Sequence, residues 1–193
     1  MTGPTLDEIL AWEISVHDLL LALYVAGLSQ QHTRRSPAEI DRYVALSAVA
    51  IGRAAAQSLG RPVAGRELAD ALDEVGRRVQ GRFAGGALAP LAILDPRDGP
   101  LLSARIPIGD LAEGLVIEAA ENVRGESVLD GAKITEYKRF MGCALIGELS
   151  RHGHVPDCHT HGALVVDVLN EGVRRVNERV AMKRERFAER LSR

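Results

Sequence analysis

Three helix-start signals constrain the fold of this chain most narrowly. In each, a residue that can cap a helix stands three positions before a glutamate: Thr5 before Glu8, Ser36 before Glu39, and Asp110 before Glu113. Such a pair satisfies free amide groups of a first helical turn from both directions. Pro37 strengthens the second signal, because its fixed backbone angle suits the first position of a helix. The spacing therefore predicts that helices begin at these three points.

Glycines and prolines predict where the helices end. We expect a first helix from Thr5 to about Gln30, a second from Ser36 to Leu59 before Gly60-Arg61-Pro62, and a third from about Gly65 to Phe83 before Gly85-Gly86. Further along, the pattern predicts helices over residues 110–124 and 132–151, and a final helix to the end of the chain. The helices thus occupy an N-terminal array, residues 5–83, and a C-terminal half, residues 110–193.

One segment has the character of a β-strand. Leu102, Ala104, Ile106 and Ile108 alternate with more polar residues, which is typical of a half-buried strand. We expect one short β-hairpin near residues 88–108, with Pro107 confining its strand to a sheet edge. The whole pattern predicts a mainly α fold, a single domain over residues 1–193 built as an array of about six helices with this hairpin.

Composition excludes several classes of protein. A chain of 193 residues can bury a core without metal or disulfide staples. A net charge of −2 gives no bulk attraction to nucleic acid or to a membrane surface, and no phosphate-binding glycine loop predicts a nucleotide site. The apolar run Leu19–Leu28 is too short to span a bilayer. The N-terminus is acidic, and the sequence has two cysteines, Cys143 and Cys158. We therefore expect a cytoplasmic protein in which both thiols are reduced.

Metal-binding side chains are concentrated in residues 152–161, which read HGHVPDCHTH. This segment holds four of the six histidines and one of the two cysteines. Imidazole, thiolate and carboxylate groups bind zinc and other first-row transition metals. The segment therefore predicts a divalent transition metal, zinc first and iron second. The predicted ligands are His152, His154, Cys158 and His161, with Asp157 and His159 orienting them.

The position of this cluster affects what it can do. Asp157 is a good cap for the final helix, so Cys158 falls in a first turn where the helix dipole favours a thiolate. Three protein ligands would leave a metal open for hydrolase or lyase chemistry, while four would suit a sensor. A catalytic cysteine with a histidine base and a functionally silent connector are the alternatives. Residues 157–162 also fit the DxHxxG signature of cobalamin-binding domains, but no apolar strand precedes Asp157, so cobalamin is not expected.

Two further residues carry ionisable groups on predicted apolar helix faces. His17 follows Glu13 by four positions, and Glu118 lies on the side of Leu111 and Leu115. Each is a candidate remote contributor to the metal site, the histidine with Glu13 as its orienting carboxylate. The alternative for both is a buried polar group that is satisfied by a structural partner.

The final helix supports a different function. From Glu171 onward it holds eight Arg or Lys against four Glu, so this tail carries +4 and the remainder −6. An apolar stripe of Leu169, Val173, Val176 and Val180 is interrupted by Lys183 before Phe187. We expect contact of the tail with the body or with an acidic partner surface, and a homo-oligomer. The alternative function is thus a helical oligomerisation or protein-interaction module without catalysis, against the simpler case of a solvated helix face.

Nucleic-acid binding is the weakest of the possibilities. A helix-turn-helix within residues 66–82 would place four carboxylates towards the phosphates, those of Glu67, Asp70, Asp73 and Glu74. These charges would repel DNA, so no nucleic-acid partner is expected.

Overall fold

The computed structural model describes residues 5–30, 36–84, 99–124 and 158–191. This part of the chain is mostly helical and holds one two-stranded antiparallel sheet, which confirms the predicted mainly α fold. Its elements are α1 Leu6–Ala11, β1 Glu13–Ser15, α2 Val16–Gln30, α3 Pro37–Leu59, α4 Gly65–Ala84, α5 Pro100–Ser103, β2 Arg105–Pro107, α6 Ile108–Arg124 and α7 Cys158–Leu191. The predicted helix over 132–151 and residues 88–98 of the predicted hairpin lie outside the described residues.

Local signals place several helix boundaries as predicted. The Thr5 hydroxyl accepts a hydrogen bond from the Glu8 amide, and the Glu8 carboxylate accepts one from the Thr5 amide, 2.7 Å long. The helix α3 begins at Pro37 and ends before Gly60, whose φ of +63° lies in the left-handed region. Glycine adopts that conformation without a steric penalty, which is why it ends helices so often.

The predicted first helix is interrupted at residues 12–15. Trp12 ends α1 by donating its amide to the Ile9 carbonyl, and residues 13–15 then form β1. The Ser15 hydroxyl accepts a hydrogen bond of 3.0 Å from the Asp18 amide and so caps α2. The prediction of one continuous helix is therefore wrong, although Ser15 and Asp18 have the spacing of a capping pair.

The partner of β1 comes from far along the chain. In the antiparallel register Ile14 lies opposite Ile106, and Arg105 of β2 also donates to the carbonyl of Glu13, 92 residues away. The sequence prediction placed a strand in this segment, but the strand pairs with β1, and residues 100–103 form the short helix α5. Gly99 and Pro100 begin that helix, since proline at its start fixes a helical φ.

The helix α6 begins at Ile108, two residues before the predicted cap Asp110. The Ile108 amide donates to the Trp12 carbonyl at 2.9 Å, so a backbone group of the β1 segment satisfies it. The prediction that Asp110 caps this helix is therefore wrong. Glu113, the other member of the predicted capping pair, is left available for a different contact.

The centre of the fold is α6, which packs between α3 and α7. Its apolar residues Leu111 and Leu115 are buried in the core to which α2 and α4 also contribute. Both neighbouring helices approach very closely. A methyl group added at Gly172 of α7 would lie 2.7 Å from the Ala112 carbonyl oxygen, nearer than a real Cβ atom comes. The absence of a side chain at Gly172 thus allows the close packing of α7 against α6.

None of the described helices is long and apolar enough to cross a membrane.

Candidate functional site

The part of the predicted metal cluster that the structure describes lies at the start of α7. Cys158 is the first residue of this helix, so its backbone and that of His161 are one turn apart on one side of it. Three other predicted residues, His152, His154 and Asp157, lie outside the described residues. Within the described ranges no group of three or more His, Cys, Asp or Glu side chains has the geometry of a metal site. The metal centre, including the role of His159 as an orienting residue, therefore stays a prediction.

His17 is buried in α2, as its apolar surroundings predicted. Its Nδ1 lies 3.1 Å from a carboxylate oxygen of Asp18, the next residue. Glu13 is in β1 and faces solvent, because the strand replaces the helical turn that would have placed it beside His17. The predicted pairing of Glu13 with His17 is therefore wrong, and Asp18 is the carboxylate that contacts the imidazole.

Glu118 is also buried, and an arginine of α3 contacts it. The Arg53 Nη2 donates to Glu118 at 3.2 Å and to Glu121 at 2.7 Å. A buried carboxylate is tolerated when an opposite charge compensates for its lost hydration. Glu118 therefore joins α6 to α3, in keeping with the structural alternative for this residue.

A second buried carboxylate on α6 is contacted by α7. The side chain of Glu113 is 1% exposed, and Nη1 of Arg179 lies 2.7 Å from its Oε1. The approach lies outside hydrogen-bonding geometry, and neither carboxylate oxygen accepts a hydrogen bond from the described residues. One helical turn earlier on each helix, Arg175 Nη1 lies 3.7 Å from Asp110. Arginines of the basic tail thus meet the body at acidic residues of α6.

Sequence analysis assigned Glu113 to a helix cap and missed this contact. The available signal was the charge asymmetry, which favoured contact between the basic tail and the more acidic body. That signal identifies the two partners by sign but does not say which residues meet, because arginines occur along the whole tail.

Arg174 and Arg175 contact glutamates on the same helix. Hydrogen bonds from Arg174, and also from Arg175, lower the pKa of Glu171 to about 2, against the opposing effect of desolvation. The hydrogen bond with Glu171, followed by the contact with Glu178, raises the pKa of Arg174. The pairs at three- and four-residue spacing stabilise this stretch of helix.

A second face of α7 is apolar and exposed. Val166, Val173, Val180 and Phe187 recur every seventh residue and form what we term the heptad stripe. Val166 is 54% exposed, Val180 42% and Phe187 64%, while Val173 is half-buried. Successive residues of a helix are about 100° apart, so the stripe lies well to one side of Gly172, which faces α6. Every residue from 177 to 190 is exposed.

Positive charge surrounds the exposed part of this stripe. Lys183, Arg184, Arg186 and Arg190 lie on or beside the stripe side of the helix, and none of them forms an ion pair with the described residues. Each of the three glutamates Glu178, Glu185 and Glu189 is two positions away from a stripe residue. Two positions correspond to about 200° around the helix, so all three lie on the side opposite to the stripe. Charge is thus segregated around the end of α7, with the cations flanking the apolar stripe.

Comparisons of this chain with family models, with curated proteins and with solved structures found no match.

Proposed function

We propose that this protein is a helical protein-interaction module that binds its partner through the heptad stripe at the exposed end of α7. The observation that supports this most directly is the exposure of Val180 and Phe187 on a stretch of helix where every residue is exposed. A short helix without packing is marginally stable in water. An apolar row at seven-residue spacing is the pattern by which one helix packs against another. A partner on this row would bury its apolar surface and stabilise the helix end.

Site-specific photo-crosslinking tests the proposal. A photoreactive amino acid placed at Phe187 in the full chain, expressed in its native cell, should form a defined protein adduct. The matched control at Glu185 lies on the opposite side of the same exposed helix and should form none. Equal crosslinking at both positions, or at neither, would contradict a specific interaction at the heptad stripe.

A truncation after Arg179 offers a second test. It removes most of the exposed helix but keeps Gly172, Arg175 and Arg179, which contact the body. We expect the truncated chain to fold with unchanged core stability and to lose the adduct and any homo-oligomer that forms through this helix. Retention of the whole assembly would contradict the proposal. The cytoplasmic location that was predicted from the sequence remains part of the proposal.

Metal binding is the second candidate function. It is supported by the start of α7 at Cys158, which places Cys158 and His161 one turn apart at the end of a helix where backbone amides favour a thiolate. With His152 and His154 from the preceding segment, they would hold zinc or, less favourably, iron. Three ligands would leave a position for a water molecule and hydrolase or lyase chemistry, and four would give a sensor.

Elemental analysis by mass spectrometry of the untagged protein tests this candidate. We expect one equivalent of metal in the wild type and none in the His154→Ala/His161→Ala double variant. The control His32→Ala removes a histidine outside the cluster and should keep the metal. Absence of metal after reconstitution under reducing conditions would make the cluster a polar connector.

A further inference from the structure

We infer that the partner of the heptad stripe is an amphipathic helix with acidic flanks. This inference rests on the proposed function, since it names what binds at the same surface. It follows from the charges that border the stripe, from their effect on self-association, and from the interruption of the apolar seam.

The borders of the exposed stripe are basic on both sides. Arg179 and Arg186 each stand one residue before a stripe residue, and Arg184 stands four residues after Val180. In a pair of packed helices these are the positions that face the flanks of the partner and select it by charge. Arg179 is half-exposed while it contacts Glu113, so it remains accessible at the border. A complementary partner therefore presents Glu or Asp at its own flanks.

A second copy of this chain does not fit the stripe well. In a parallel, in-register pair, Arg179 of one copy would lie opposite Arg184 of the other, since flanking positions of this kind meet at a spacing of five residues. An antiparallel pair would again bring basic borders together. Like charges in such positions oppose association. The carboxylates that would compensate, those of Glu178 and Glu185, lie on the far side of the helix.

A membrane surface fits less well than a protein helix. A helix that lies in the interface of a bilayer buries a wide apolar face rich in large side chains. Here Lys183 and Arg190 occupy the seam position that Leu169 and Val176 hold in the two preceding heptads. Charged residues within an apolar seam are a device by which paired helices fix register and choose a partner. Acidic residues in the facing seam of the partner would pair with Lys183 and Arg190.

Two synthetic peptides of about four heptads serve as probes. Both carry Val and Leu in the seam; one has Glu at every flanking position and the other has Lys, so that each repels itself and stays monomeric. By isothermal titration calorimetry we expect the full-length protein to bind the Glu-flanked peptide at least about tenfold more tightly than the Lys-flanked peptide. Raising the salt from about 0.05 M to about 0.5 M should weaken this binding, since it screens exposed charges.

Two variants keep the inference falsifiable. The Arg184→Glu/Arg186→Glu variant should reverse the preference and bind the Lys-flanked peptide. The Val180→Ser/Phe187→Ser variant should bind neither, while its circular dichroism stays that of the wild type because both residues are exposed.

The remaining outcomes overturn the inference in distinguishable ways. Equal binding of both peptides, or binding of neither, would overturn the inference that the partner is acidic. A crosslink at Phe187 would in that case still support the proposed function. Self-association in sedimentation that Phe187→Ser abolishes would assign the stripe to a second copy. Binding of vesicles with anionic lipid that Phe187→Ser abolishes, with no peptide binding, would overturn the inference and the proposed function together.

Discussion

Replacing Arg179 by alanine should destabilise the protein far more than an exposed arginine normally does. The side chain of Glu113 is 1% exposed, and among the described residues Arg179 is the cation that lies against it, 2.7 Å away. Removing one partner of a buried ion pair costs about 3–5 kcal/mol, because the other charge stays buried without compensation. Arg179 is itself 50% exposed, so water entering its place will recover part of this cost.

We therefore expect the Arg179→Ala variant to lose about 2–4 kcal/mol of unfolding free energy. The control Arg186→Ala lies seven residues later on the same helix and should lose no more than about 0.5 kcal/mol.

Urea unfolding gives the measurement. It should be followed by far-ultraviolet circular dichroism and by the fluorescence of Trp12, the single tryptophan, which packs against the core. Replacing Glu113 as well, in Glu113→Met/Arg179→Ala, should recover at least about 1 kcal/mol, since a buried ion pair can be exchanged for apolar groups. Equal stability of Arg179→Ala and Arg186→Ala would contradict this prediction, as would a double variant that is less stable than Arg179→Ala.

Two further predictions concern the packing and the charge of α7. Gly172→Ala places a methyl group 2.7 Å from the Ala112 carbonyl oxygen and should cost about 1–3 kcal/mol in urea unfolding; the control Gly65→Ala meets no atom within 4 Å and should not destabilise the chain. The pKa of Glu171 falls to about 2 in the folded state. The ionised carboxylate therefore stabilises the fold fully at pH values above its pKa in the unfolded chain, and this stabilisation is lost as the pH falls towards 2. The difference in thermal midpoint between wild type and Glu171→Gln should accordingly be constant from pH 7 to about 5 and shrink below about pH 4; a difference that grows on acidification would contradict this assignment.

Much of the helical framework could be predicted from the sequence because its signals are local. The capping pair of Thr5 and Glu8, the proline at position 37 and the glycine at position 60 each act within one turn of the chain. Burial of Ile106 and Ile108 was also visible in the alternating pattern. These features need no knowledge of a distant partner.

The errors fall where a distant segment competes with a local preference. Residues 13–15 leave the helical conformation because β2 offers them hydrogen-bond partners. Asp110 is not needed as a cap because the Trp12 carbonyl accepts the Ile108 amide. In both places the sequence carries a local helix signal, but a contact between residues more than 90 positions apart decides the secondary structure that forms.

The candidate sites divide in the same way. The sequence by itself determined the seven-residue spacing of the heptad stripe, the basic excess of the tail and the concentration of His and Cys in residues 152–161. Each of these is a property of the order of residues along the chain. Only the tertiary structure decided that α7 contacts α6 through Gly172 and Arg179, that Glu113 is buried against it, and that Phe187 is left exposed. The physical reason is that an amphipathic helix offers more than one face, and the face it buries depends on the shape and charge of the surface it meets.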